Sequence, residues 1–209
     1  MQVTGLGNGN KIVGAPAQEN RCRVSFHGRN ANLIIHPGCN LDDAHFRLFD
    51  NAVIEVGASS TYSGTILAQV NCRVSLGSRL QCNSHLNISC AEETQVRVGE
   101  RCLVSSGTIR SSDMHPIFDA ETGERINFGA DVTIGDDVWF AQGAFVLKGV
   151  NVGAGSVIAA MTVVTRDVPA RSIVAGNPGK VIREGIRWHP RLPLRKPVPA
   201  QKPASGTGT

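Results

Sequence analysis

A period of six residues dominates the sequence between residues 134 and 168. Aliphatic or aromatic residues recur at every sixth position, and a small or β-branched residue stands four places after each one. The first set is Ile134, Phe140, Val146, Val152, Ile158 and Val164, and the second is Val138, Ala144, Val150, Ser156, Thr162 and Val168. Neither the helical period of 3.6 nor simple alternation produces this double register. The pattern predicts a parallel β-helix in which three six-residue sides complete each coil.

The same turn phrase marks successive coils along the chain. Val132-Thr-Ile-Gly135 recurs 18 residues later as Val150-Asn-Val-Gly153. Upstream versions of the phrase end at Gly57, Gly77 and Gly99. Inward positions favour β-branched side chains that stack on the next coil, while Gly or Asn at the turns admits backbone conformations that a Cβ opposes. The repeat therefore extends over most of the chain, and 209 residues is a one-domain length.

One stretch interrupts the register. Residues 113–130 keep no sixfold pattern and are rich in ionisable side chains. These are Asp113, His115, Asp119, Glu121, Glu124 and Arg125. We interpret the stretch as a loop extruded from a corner of the β-helix. A polar loop on a rigid scaffold is where function concentrates, although an inert surface excursion is the alternative.

The chain divides into three parts on this reading. The β-helix spans residues 1–170 and includes the loop, and residues 171–187 form a C-terminal turn with a short helix over 179–186. Residues 188–209 are rich in Pro and basic residues, so we expect an extended, disordered tail.

Composition excludes several classes of protein. The net charge is +4, but the residues after 179 carry about +6, which leaves the body slightly acidic and gives no reason to expect a nucleic acid partner. No run of 18 apolar residues and no basic, apolar leader is present, so we expect no membrane insertion and a cytoplasmic protein. The six cysteines include no C-x-x-C pair and are expected to be free, buried thiols. The six histidines lack ligand spacing, so no metal is expected.

The motifs around the loop are more specific. Ser112-Asp-Met-His-Pro-Ile-Phe118, Gly123-Glu-Arg-Ile-Asn127, the hexads from Ile134 and Ile173-Val-Ala-Gly-Asn-Pro-Gly-Lys180 together resemble the hexapeptide-repeat acetyltransferases. Within that family they look like the capsular polysaccharide O-acetyltransferases, including those that modify polysialic acid. The resemblance covers about residues 96–187, and the earlier coils match only as degenerate repeats. It implies an all-β, left-handed parallel β-helix and a homotrimer with active sites in clefts between subunits.

The resemblance also implies a reaction and its residues. Acetyl-CoA would supply the acetyl group, a carbohydrate hydroxyl would accept it, and His115 would be the catalytic base. An imidazole that titrates near pH 6.5 can take the proton of a hydroxyl as it attacks a thioester, so no covalent intermediate is needed. The alternative for His115 is an ordinary surface histidine in a loop.

Two further residues are candidates beside this histidine. Trp139 is its companion by the family pattern, and it follows the inward Val138, so its indole should point outward and could donate to a developing oxyanion or contact a ligand. It could also simply cover a corner of the prism. Asp113 could hold the imidazole tautomer, as triad carboxylates do, but loop solvation is equally plausible and Asp119 or Glu124 could substitute.

The co-substrate needs a groove along the regular coils. Small outward residues would leave room for the pantetheine arm, and basic residues would meet the phosphates. The small residues are Ala141, Gly143, Gly149, Ala159 and Ala160, and the basic ones are Lys180, Arg166 and Arg183. Each of these charges could instead be a solvated surface group.

The sequence thus predicts an acetyl-CoA-dependent O-acetyltransferase that acts on a carbohydrate, with a capsular or cell-surface polysaccharide that contains sialic acid as one option. N-acetylation of an amino sugar is the nearest alternative. A non-catalytic β-helical binding or assembly protein is a second alternative from another class. Turnover of acetyl-CoA with a panel of sugars separates these readings.

Overall fold

The computed structural model describes residues 1–192, and their backbone winds into a β-solenoid of about eight coils. The strands follow in chain order. They are β1 (Gln2–Thr4), β2 (Lys11–Val13), β3 (Gln18–Asn20), β4 (Arg23–Phe26), β5 (Asn32–Ile35), β6 (Asn40–Leu48), β7 (Val53–Val56), β8 (Thr61–Ala68), β9 (Arg73–Leu76), β10 (Gln81–Cys82), β11 (Leu86–Cys90), β12 (Gln95–Val98), β13 (Leu103–Val104), β14 (Gly107–Arg110), β15 (Val132–Ile134), β16 (Trp139–Phe140), β17 (Ala144–Val146), β18 (Asn151–Val152), β19 (Val157–Ile158), β20 (Val163–Val164), β21 (Ile173–Ala175) and β22 (Lys180–Arg183).

These strands form the three faces of a prism. The first face contains β1, β4, the second halves of β6 and β8, β11, β14, β17 and β20. The second face contains β2, β5, β7, β9, β12, β15 and β18. The third face contains β3, the first halves of β6 and β8, β10, β13, β16, β19 and β21. The predicted all-β, left-handed parallel β-helix is confirmed.

The core is a stack of inward side chains, one from each coil. On the second face, parallel pairing aligns inward residues of successive coils, and each of them is at most 1% exposed. They are Leu33, Ile54, Val74, Val96 and Val132. Aliphatic side chains dominate because each must contact its equivalents one coil away on both sides, and this burial supplies the main stabilising free energy.

The turn phrase requires glycine for a different reason from the one that the sequence suggested. Among residues 1–192, a left-handed φ is found at none of the three glycines that end the turn phrase, Gly57, Gly77 and Gly99. Instead, a Cβ at Gly77 would lie 2.5 Å from the backbone carbon of Gly99. The left-handed conformation falls two residues later, for example at Arg79 with a φ of 59°. Close approach of successive coils, rather than a special φ, therefore selects glycine.

The C-terminal part differs from the prediction. The helix expected over 179–186 is wrong, because Lys180–Arg183 form β22, which pairs antiparallel with β21. The turn before β22 reverses the chain and sets Val181 opposite Val174, so the backbone groups find partners across the pair. The β-branched Val181 and Ile182 also suit a strand better than a helix.

Three other expectations concern the rest of the chain. Trp188, placed at the start of the predicted tail, is packed against the β-helix, while the tail beyond residue 192 lies outside the described residues. All six cysteines are free and buried, which confirms that prediction. Residues 1–192 contain no helix of the length and apolarity needed to cross a membrane.

Candidate active site

The polar loop leaves the first face after β14 and returns to the second face at β15, so it projects from the corner between them. Glu92, at the same corner one coil earlier, fixes its base. One carboxylate oxygen of Glu92 accepts from Ser112 Oγ at 2.5 Å, and the other accepts from the backbone N–H of Gly129 at 3.1 Å. Arg125 adds an ion pair to Glu92 at 2.6 Å. A single side chain thus joins both ends of the loop.

His115 lies on the outer part of this loop and is exposed. Its main chain is held by the buried side chain of Asn127, whose Nδ2 donates to the carbonyl oxygen of His115 at 2.8 Å. The same Nδ2 donates to Asp113 Oδ2 at 2.9 Å. Lys148, at the corner after β17, donates to that carboxylate and to the carbonyl oxygen of Asn127 at 3.0 Å. The loop is therefore tied to the body of the β-helix close to the histidine.

Two carboxylates of this corner are held ionised. The Ser112 hydroxyl, followed by the Gly129 N–H and Arg125, lowers the pKa of Glu92. Lys148 and then Asn127 lower the pKa of Asp113. Asp113 therefore has partners other than the imidazole, and among residues 1–192 no hydrogen bond joins its carboxylate to the ring of His115. Its suggested role in fixing the tautomer stays a prediction.

Trp139 lies in β16 on the third face and points outward, as its place in the hexad predicted. Its Nε1 is buried and has no hydrogen-bond partner among the described residues. The ring of Trp188 covers it, with centroids 5.9 Å apart and planes inclined by 40°. Trp188 Nε1 donates to the carbonyl oxygen of Asp137 at 2.7 Å, which anchors the covering ring.

Most of the small residues predicted for the co-substrate lie near Trp139. Ala141 and Ala159 occupy successive rungs of the third face, since the backbone that follows β16 pairs with β19. Gly143 and Ala160 lie at the adjoining corner, where a Cβ on Gly143 would meet Met161 Sδ at 2.5 Å. Gly149 lies elsewhere, beside the loop, and its N–H donates to the carbonyl oxygen of Ala130 at 3.4 Å.

The predicted phosphate-binding residues also separate into two places. Lys180 and Arg183 are exposed on β22, where Lys180 lies opposite Ala175 and Arg183 opposite Ile173 at the end of the third face. Arg166 follows β20 and lies at the loop corner, one rung beyond Lys148. Two groups result, one on the third face around Trp139 and one at the opposite corner around His115.

The sequence did not single out four residues that shape these groups. Asn127 belongs to a motif that carried the family resemblance, and its place in that motif was the signal that could have found it. Glu92 and Lys148 precede and follow the loop by a full coil or more, and Trp188 folds back from the C-terminal segment. No local sequence pattern predicts such contacts.

A cavity of about 480 Å³ lies under the segment that carries Trp188. Arg79, Arg101, Arg171 and Arg187 line it together with Leu103 and Asp137. Arg101 is neutralised by Asp137, with Nε 2.9 Å from Oδ1. The cavity adjoins the third face but not the loop.

Comparison with solved structures places this architecture in a family. The polySia-specific acetyltransferase NeuO is 32% identical, with a TM-score of 0.86 over 90% of this chain and 82% of that one. The polysialic acid O-acetyltransferase OatWY, at 24% identity and a TM-score of 0.76, shares the fold over 93% of this chain and 92% of its own. The chain belongs to the hexapeptide-repeat acetyltransferases, as its motifs indicated.

Particular relatives are found among curated proteins. The polysialic acid O-acetyltransferase of Escherichia coli O1:K1 / APEC is 34% identical over 65% of this chain, and that of Neisseria meningitidis is 31% identical over 62% of it. The aligned parts span 44% and 61% of those two proteins. No family model matches the chain.

Proposed function

We propose that this protein transfers the acetyl group of acetyl-CoA directly to a hydroxyl of a carbohydrate, with His115 as the general base. The observation that carries the proposal is the exposed His115 on a loop whose main chain is hydrogen-bonded to the scaffold, in a chain similar to acetyltransferases. The hydroxyl oxygen forms a bond to the thioester carbonyl carbon while its proton passes to the imidazole. The C–S bond then breaks, and the proton leaves with the thiolate of CoA.

Trp139 is proposed to stabilise the oxyanion of the intermediate. A buried donor without a partner costs about 1–3 kcal/mol, so the Nε1 of Trp139 gains when an acceptor arrives. A donor fixed by the protein toward a developing negative charge needs no reorganisation during the reaction.

Acetyl-CoA is proposed to lie along the third face. The outward Ala141 and Ala159 leave space above the strands, and the backbone there can meet the amides of the pantetheine arm. Lys180 and Arg183, exposed at the end of the same face, are in a position to bind the phosphates.

A homotrimer with sites between subunits would unite the two groups of residues. Within one chain His115 and Trp139 lie on opposite sides of the prism, so a neighbouring copy must bring its loop to the third face for both to act together. The loop exposes four large apolar side chains, which a monomer has no reason to leave in water. They are Ile117, Phe118, Ile126 and Phe128, all more than half exposed.

The direct test is His115→Ala, assayed for CoA release with a panel of neutral, amino and sialic acid sugars. The variant should bind acetyl-CoA normally and lose about 10²-fold or more in kcat, since the hydroxyl has no positioned proton acceptor. His27→Ala, at another exposed histidine on the first face, is the matched control. Normal turnover by His115→Ala would overturn the proposed base.

Product chemistry decides between the two acyl acceptors. An O-acetyl ester is cleaved by hydroxylamine, whereas the amide formed from an amino sugar survives. Absence of turnover with every sugar would favour a non-catalytic binding protein. Light scattering at micromolar concentration tests the trimer, which a monomer would contradict.

A further inference from the structure

We infer that Asn127 is a positioning residue for His115, an inference that rests on the proposed function of that histidine. It acts through the main chain of His115, whose carbonyl oxygen accepts from the side-chain amide of Asn127. The geometry around its amide supports this role.

The Asn127 side chain is 8% exposed and uses both ends of its amide. Its Nδ2 donates to the carbonyl oxygen of His115 and to Asp113 Oδ2, at 2.8 and 2.9 Å. Its Oδ1 accepts from the backbone N–H of Ile117 at 2.6 Å. One amide thus contacts His115, the residue two positions before it (Asp113) and the residue two positions after it (Ile117).

Asn127 is in turn fixed to the β-helix. The main-chain carbonyl oxygen of Asn127 accepts from Lys148 Nζ at 3.0 Å and from Arg125 Nη2 at 3.3 Å. Lys148 belongs to the corner of the next coil, and it also pairs with Asp113. The path from the scaffold to His115 therefore runs from Lys148 through Asn127 to the histidine carbonyl.

Only an amide satisfies these three partners. Two of them are acceptors and one is a donor, and a primary amide presents two N–H donors and a carbonyl oxygen, which here also accepts from Arg125 Nε at 3.4 Å. A carboxylate of the same shape would place oxygen against the carbonyl of His115 and against the ionised Asp113. Among residues 1–192 no hydrogen bond reaches the His115 ring itself, so the placement of the ring depends on its main chain.

The experiment compares Asn127→Asp and Asn127→Ala with the control Thr122→Ala. The control breaks one hydrogen bond at the loop tip, from the backbone N–H of Glu124 to Thr122 Oγ1 at 3.2 Å, but leaves the contacts of His115 intact. Each variant is also made in the His115→Ala background. Thermal melting of each variant shows whether it folds.

Both Asn127 variants should lower kcat by about 10–10²-fold, because small misplacement of a catalytic group carries such losses. KM for acetyl-CoA should stay within about twofold of wild type, since the residues proposed to bind it lie on the third face and the Asn127 side chain, only 8% exposed, is not among them. In the His115→Ala background the further loss should vanish, because a residue that acts through the histidine has nothing left to position. The control should keep kcat.

Several outcomes would overturn the inference, and they can be distinguished from the outcome that would reject the proposed function. If the wild type is active and Asn127→Asp has the same kcat, Asn127 is not a positioning residue. The same follows if substitution of Asn127 still lowers kcat in the His115→Ala background. An inert wild type rejects the proposed function instead, and NMR of the His115 ring then tests Asn127 alone. The His115 ring signals should shift or broaden in Asn127→Asp and not in Thr122→Ala. If both Asn127 variants unfold, the inference fails, since the residue is then merely structural.

Discussion

The Trp188 ring covers Trp139, with centroids 5.9 Å apart, and Trp188 reaches that position from a segment that the hexad pattern does not include. Its Nε1 bond to the carbonyl oxygen of Asp137, at 2.7 Å, fixes one edge of the ring. The segment around Trp188 thus controls how much of the Trp139 indole meets solvent.

Trp188→Ala should destabilise the fold by about 2 kcal/mol, since it removes an aromatic pair and a hydrogen bond. For a chain of this size that lowers the Tm by roughly 4–8 °C. Iodide should also quench Trp139 fluorescence more strongly. Trp188→Phe should retain part of the stability, and Leu192→Ala, at a side chain that is 95% exposed, should change nothing. An unchanged Tm in Trp188→Ala would show that the ring does not dock in solution.

Glu92→Gln should loosen the base of the loop, because the neutral amide no longer pairs with Arg125 and presents only one acceptor oxygen to its former partners. A loss of about 1.4 kcal/mol raises the open population tenfold, and trypsin cleavage after Arg125 should accelerate accordingly. Glu121→Gln, elsewhere in the loop, is the matched control. Equal cleavage rates in the two variants would contradict the role of Glu92.

The Glu92 carboxylate also makes the stability of the fold depend on pH. The pKa of Glu92 is lowered in the folded chain, so its contribution to stability is present above the unfolded pKa of about 4.3 and is lost as the pH falls through the folded value. The amide signal of Gly129, which donates to Glu92, should titrate with a midpoint below 4.3 and should not titrate in Glu92→Gln. A midpoint at or above the unfolded value would contradict the lowered pKa.

The sequence predicted the β-helix because its hexads repeat a local rule. Phe140 and Ile158, for example, stack one coil apart as the count of six requires. It mispredicted the segment after Gly179 because the pairing of Val181 with Val174 depends on a chain reversal, and local propensity does not encode that partner.

Gly77→Ala tests the close approach of the coils. The new Cβ would lie 2.5 Å from backbone atoms of Gly99 and 2.6 Å from the backbone nitrogen of Glu100, which cannot rotate away. We expect a loss of about 1–3 kcal/mol in the free energy of unfolding, measured by urea titration. Ser78→Ala, at the next position of the turn, should change it by less than about 0.5 kcal/mol. Wild-type stability in Gly77→Ala would show that the coils can move apart.

The positions of two candidate residues could be predicted from the sequence, while their roles stay predictions. His115 and Trp139 follow from motifs within one or two coils, and the structure places them on the loop and on an outward position as expected. The residues that hold the loop could not be predicted by spacing. Glu92 meets Gly129 only because the loop returns to the corner it left, which is a property of the folded chain.

The mechanism gives the last prediction, since direct transfer requires that no thiol carries the acetyl group. All six cysteines are buried, and burial raises the pKa of Cys102 to about 12. A hydrogen bond with Cys72 lowers the pKa of Cys90, but Cys90 is 0% exposed, so burial keeps this thiol away from acetyl-CoA as well. Mass spectrometry after incubation with acetyl-CoA alone should therefore find no acetylated Cys or Ser. Trp139→Ala should lower kcat by up to about 10²–10³-fold, and its loss combined with His115→Ala should be less than additive because both act on one transition state. An acetyl-cysteine that is converted to product would replace direct transfer with a two-step mechanism.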